Sequence, residues 1–122
     1  GHVIDIMPTL LEITGARYPN EANGHKVLPM DGISLTPAFL GKDLDRNKPL
    51  YWEYSEGFAI RDGDMKAVRL RRAVDKEWEL YDFATDENET NDLAPTRPGK
   101  LKLMKQKWEQ WYASVSVYET DR

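Results

Sequence analysis

The run "GFAIRDGDMKAVRLRR", residues 57 to 72, constrains what this chain can fold into more than any other stretch. The pair Asp62-Gly63 separates two short runs, each holding several apolar residues. Asp-Gly between two such runs suits a tight two-residue turn. The spacing therefore predicts a β-hairpin. "PLYWEY" (49–54) is aromatic-rich and strand-like, and "EWELYDF" (77–83) adds a further strand. The expectation is about four short antiparallel strands. From Pro98 to Val115, Leu101, Met104, Trp108, Trp111, Tyr112 and Val115 recur at three- and four-residue steps, which predicts an amphipathic helix. Its apolar stripe serves best as a cover for the sheet, with Trp108 and Trp111 largely buried. The fold class is α+β: a small antiparallel sheet of about four strands packed by a C-terminal helix.

Upstream the signals differ. "HVIDIMPTLLEITG" predicts a short helix, with Asp5 as N-cap, Pro8 in the first turn and Gly15 as a left-handed stop. Its apolar residues, Ile4, Ile6, Met7, Leu10, Leu11 and Ile13, cover most of the circumference, so the helix needs cover on several sides. Residues 16 to 48 carry Pro19, Gly24, Pro29, Gly32, Pro37 and Gly41, a density that breaks both helix and strand. Only "SLTPAFLG" suggests a helical turn, with Ser34 as cap and Pro37 in its first turn.

With 122 residues the chain can build one hydrophobic core. A composition of 40% hydrophobic and 31% charged residues is that of a globular domain. The net charge of −4 argues against nucleic acid, which demands a basic surface. The absence of cysteine removes disulfides, thiolate metal sites and a cysteine nucleophile. The longest apolar runs are far short of a membrane span.

The stretch "WELYDFATDENETNDLA" (78–94) crowds Asp82, Asp86, Glu87, Glu89 and Asp92 behind an apolar start. A calcium loop beginning at Asp86 would need glycine at its sixth position and glutamate at its twelfth; Asn91 and Arg97 stand there. Catalytic carboxylate pairs come from separate elements facing a cleft. The stretch reads instead as a buried strand followed by a polar turn, where Asp and Asn bond their own backbone. His2 and His25 read as structural or surface residues, no serine sits in a G-x-S-x-G elbow, and no phosphate-cradling loop is present.

Taken in order, the segments resemble the C-terminal region of sulfatases of the arylsulfatase type. The first helix resembles the D-x-x-P-T-L helix that closes their large domain, at Asp5, Pro8, Thr9 and Leu10. "LPMDGISLTPAFLG" is similar to their P-x-D-G-x-S-L-x-P segment, at Pro29, Asp31, Gly32, Ser34, Leu35 and Pro37. "PLYWEY", "AIRDGDMKAVRL" and "WELYDFATDENETNDLA" resemble their small C-terminal sheet, the last with a D-x-x-E-x-x-D/N-L-A turn at Asp86, Glu89, Asp92, Leu93 and Ala94. The resemblance implies three parts: residues 1–15 as the last helix of a large domain, 16–48 as a connection, and 49–122 as the C-terminal subdomain.

It also implies a fragment of a hydrolase for aryl or carbohydrate sulfate esters, structural and cleft-lining, with no activity alone. That family uses a formylglycine made from C/S-x-P-x-R and a divalent metal, usually calcium. This chain has no such motif, so both are expected in a missing large domain and no catalytic or metal residue is carried over. Where relatives often carry a histidine in "YWEYSEG", this chain has Tyr54, Ser55 and Glu56. Glu53, Tyr54 and Glu56 could touch the non-sulfate part of a substrate, or be ordinary strand-end residues. The partners implied are the missing N-terminal domain and, through the 1–15 helix, a second copy, with no nucleic acid and no membrane. An exported parent is expected if it is bacterial. A free-standing interaction or carbohydrate-binding module is the alternative.

Overall fold

The computed structural model describes residues 1–70 and 77–116. The chain divides into two compact units, Gly1–Arg46 and Asn47–Arg122.

In the first unit a single 3-10 turn, Val3–Asp5, leads into helix α1, Ile6–Thr14. Gly15 closes α1 at φ 70°, in the left-handed stop its lack of a Cβ permits. Asp5 occupies the N-cap position, yet its side chain makes no capping bond to α1. Its carboxylate accepts instead from His2 N at 2.7 Å, from Ile33 N at 3.0 Å and from the Arg46 guanidinium. The expected cap is thus a tertiary anchor, because the loop at 31–46 supplies donors that out-compete the first-turn amides. Thr9, one turn along, does the same work: its hydroxyl donates to Asp5 O at 2.6 Å and accepts from Leu35 N at 2.9 Å. Gly32 lies against the Ile4 carbonyl so closely that a Cβ there would stand 2.1 Å from the oxygen. The D-x-x-P-T and D-G-x-S-L motifs are therefore two halves of one polar lock.

This lock turns α1 inside out. Asp5 and Thr9 are buried, while Val3, Ile6, Met7, Leu10 and Ile13 are all more than half exposed. The long connection contains a small ribbon that the Pro and Gly density had argued against. Strands β1, Glu21–Ala22, and β2, His25–Lys26, pair around Asn23-Gly24. Both turn residues stand at positive φ, 52° and 78°, which is what Asn-Gly favours. Helix α2, Thr36–Phe39, carries Pro37 in its first turn as expected. Its cap position falls on Leu35 and not Ser34, whose Oγ accepts from Thr36 N at 3.2 Å just outside the helix.

The second unit is a four-stranded antiparallel sheet in the order β3-β4-β5-β6 and one helix. The strands are β3, Leu50–Tyr54; β4, Gly57–Asp62; β5, Met65–Arg69; and β6, Glu79–Asp82. Asp62 pairs with Met65, so the β4–β5 turn is Gly63-Asp64, one residue later than the Asp-Gly reading, with Gly63 at φ 64°. Residues 71 and 72 of the expected hairpin lie outside the described residues. Helix α3, Pro98–Ser116, covers one sheet face. Ile60, Ala67, Leu80, Trp78, Met104 and Trp108 form the buried cluster between them. Trp108 packs edge-on to Trp78 at 5.9 Å and against Phe58 at 4.3 Å, and its indole N–H donates to Trp52 O at 3.0 Å. Trp111 is only half-buried, lying flat against Tyr51 at 4.9 Å nearer the end of the interface.

The acidic stretch closes an edge of the sheet. β6 is an edge strand, and an open edge invites pairing with other chains. Asp92 Oδ1 accepts from Leu80 N at 2.9 Å and Leu93 N donates to Leu80 O at 2.7 Å, so the turn satisfies Leu80 on both backbone groups. Asp86 holds the turn from within, accepting from Thr90 N and Asn91 N at 2.9 Å. Those amide bonds hold its carboxyl below the usual carboxylate range. Glu89 pairs with Lys66 at 2.5 Å.

Candidate functional site

The residues singled out for substrate contact sit together at one hairpin tip. Glu53 and Tyr54 end β3, and Glu56 lies in the two-residue turn to β4. Tyr54 pairs with Gly57 across that turn, and its side chain is 81% exposed, the largest exposure among the exposed apolar and aromatic side chains. Glu53 and Glu56 are exposed as well. Ser55 and Glu56 both take left-handed conformations, at φ 48° and 73°. Arg69, at the end of β5, donates from Nη2 to the Glu56 carbonyl at 3.3 Å.

A groove of about 270 Å³ runs beside the tip, lined by Trp52, Tyr54, Gly57, Ala59, Val68 and Leu70. It lies next to Ala59, Val68 and Tyr81, a second buried cluster in the sheet. Burial, then the hydrogen bond to Glu79, pushes the Tyr81 hydroxyl up to about 12, so it stays a neutral donor to Glu79 Oε2 at 3.0 Å.

The tip offers hydrogen-bonding groups and one aromatic face. Two carboxylates and a phenol at a tip accept and donate hydrogen bonds to hydroxyl groups, and Tyr54 offers a ring face for stacking. Glu53 and Glu56 give the tip two exposed acidic side chains, which disfavour an anion there. Among the described residues, no group of three or more His, Asp or Glu is placed to hold a metal ion. In the acidic turn Asp86 and Asp92 accept from backbone amides and Glu89 pairs with Lys66. Sequence reasoning singled out Glu53, Tyr54 and Glu56 but not Arg69, which comes near them only through the pairing of β5 with β4.

The architecture is that of an α+β scaffold presenting a polar tip. No family model matches the chain. An uncharacterized sulfatase of Schizosaccharomyces pombe is 31% identical over 123 residues, covering 94% of this chain and 22% of that protein. A sulfatase of Formosa agariphila is 29% identical over 115 residues, covering 84% of this chain and 20% of that protein. Among solved structures, Ps i-CgsB in complex with a neocarrahexaose is 25% identical at a TM-score of 0.65, over 88% of this chain and 23% of that one. A protein solved with its substrate D-glucosamine-2-N,6-O-disulfate is 25% identical at a TM-score of 0.59, over 89% of this chain and 23% of that one. The chain spans about a fifth of the length of the curated relatives it matches. In sequence and in fold it is similar to the C-terminal region of sulfatases.

Proposed function

We propose that these residues form the C-terminal, cleft-lining part of a sulfuric ester hydrolase acting on carbohydrate or aryl sulfates. The observation that carries the reading is the similarity to sulfatases across nearly the whole chain, together with a shared fold. The substrate named for one structural neighbour, a sulfated glucosamine, supports a carbohydrate sulfate. In this reading Glu53, Tyr54 and Glu56 contact the non-sulfate part of the substrate at the edge of the cleft.

The nucleophile and the metal belong to a larger N-terminal domain. A formylglycine needs a cysteine or serine in C/S-x-P-x-R, and this chain has no cysteine and no serine so placed. Its described carboxylates do not gather into a metal site, so calcium does not fit here either. The outward apolar face of α1 is where that domain packs. A helix that buries Asp5 and Thr9 and exposes Val3, Ile6, Met7, Leu10 and Ile13 is finished only when another surface covers it.

Kinetics of the full-length protein test the reading. Tyr54→Ala should raise KM for a sulfated saccharide about tenfold and leave kcat within about twofold, the pattern of lost uniform binding. An unchanged KM for both Tyr54→Ala and Glu53→Gln would remove the tip from the cleft. The alternative, a free-standing interaction or carbohydrate-binding module, requires that the isolated 122 residues bind a protein partner or a saccharide, measurable by calorimetry.

A further inference from the structure

Two hairpin tips in this chain share a geometry but not a chemistry. In each, both central residues stand at positive φ: Asn23 and Gly24 in one, Ser55 and Glu56 in the other. Asn-Gly takes that form readily. Ser and Glu do not, because their Cβ crowds the backbone there. A turn of this kind persists only where its surroundings over-determine it.

One side chain does so. Arg69 reaches from β5 to the Glu56 carbonyl at 3.3 Å. Its guanidinium lies 4.1 Å from the centre of the Phe58 ring, and Phe58 is itself braced by Trp108 at 4.3 Å. The placement is costly in one respect: Arg69 Nε is buried with no hydrogen-bond partner among the described residues. A methionine would fill the space over Phe58 without an orphaned donor. What it could not do is hold the turn.

We infer that Arg69 is a positioning residue that locks the Ser55-Glu56 turn in its left-handed form and so fixes the direction in which Glu53 and Tyr54 meet a saccharide. The role rests on the reading above, in which the tip touches substrate. It adds that discrimination among sulfated saccharides depends on a residue that contacts none of them.

The test uses the full-length protein and the best-cleaved of three probes: 4-nitrophenyl sulfate, glucosamine 2-N,6-O-disulfate and a carrageenan hexasaccharide. Arg69→Met should raise KM about tenfold with kcat within about twofold. It should also speed amide hydrogen exchange at residues 55–57. Ser55→Gly, placed in the same chain, accepts positive φ without a clamp and should recover most of the lost KM. The inference is overturned if Arg69→Met leaves KM unchanged while Tyr54→Ala raises it. It is equally overturned if KM rises only with a collapse in Tm that Ser55→Gly does not relieve. A Tyr54→Ala protein with normal KM shows that the substrate reading itself has failed, and the specificity role falls with it.

Discussion

At the scale of single residues, Gly32 and Asp5 decide whether the first unit holds together. A methyl group at Gly32 would meet the Ile4 backbone carbonyl oxygen at 2.1 Å, so no flexible side chain can yield. Gly32→Ala should cost about 2–3 kcal/mol, toward the upper end for overpacking. Gly15→Ala meets nothing within 4 Å and bears only the positive φ, so it should cost about 1 kcal/mol. Chemical denaturation of the two variants separates them, and equal losses would contradict the close approach.

Asp5 adds a pH dependence. Burial alone would push its carboxyl up, but the hydrogen bonds from Arg46, Ile33 and His2 and the charge of Arg46 outweigh it and hold it below the usual carboxylate range. A depressed carboxyl stabilises the fold above its unfolded pKa of about 4, and that stability is lost as pH falls through the folded value. Thermal unfolding from pH 6 to pH 2 should therefore fall more steeply for the natural chain than for Asp5→Asn; parallel curves would contradict the anchor. None of this was legible locally. Asp5 has the spacing of a helix cap, and the partners that change its role lie 28 and 41 residues away.

At the scale of elements, the sheet and tail helix were legible because their signals are short-range. Strand-forming runs and their turn residues lie within one hairpin, and the three- and four-residue stripe of α3 lies within one helix. Trp108 shows the stripe at work: it touches Phe58 and Trp78 and is 5% exposed. Trp108→Ala should cost roughly 3–5 kcal/mol, and a loss under about 1 kcal/mol would mean that α3 does not close the core. Trp111, half-buried on Tyr51, should cost less. The ribbon β1–β2 escaped because its strands are two residues each and fully exposed, although Asn23-Gly24 is a clear turn pair. The acidic turn was legible as a turn but not as an edge cover. Asp92→Ala removes the acceptor for Leu80 N and Ala94 N and should cost about 1–3 kcal/mol. Hydrogen exchange at Leu80 should quicken in that variant; unchanged protection would show that the turn does not seal β6.

At the scale of the molecule, the likeness to sulfatases was legible in the order of five short segments, whereas the β3–β4 tip was legible only as a location. Which side chains point outward depends on strand pairing, and the clamp from Arg69 depends on a contact across the β4–β5 hairpin. The exposed face of α1 carries a prediction of its own. In the isolated chain it should either fray, as a helix of nine residues does readily in water, or pair with a second copy. Sedimentation of the intact chain against one lacking residues 1–15 distinguishes these outcomes. A rigid, exchange-protected α1 in a monomer would contradict both.

The central claim is that this chain shapes and presents a cleft whose chemistry is supplied by a larger domain. Sulfate release from 4-nitrophenyl sulfate, measured side by side for the isolated 122 residues and for the full-length protein, tests it most directly. The account predicts turnover by the full-length protein and none by the isolated chain, with or without added calcium. Turnover by the isolated chain, abolished by a substitution within it, would contradict the account.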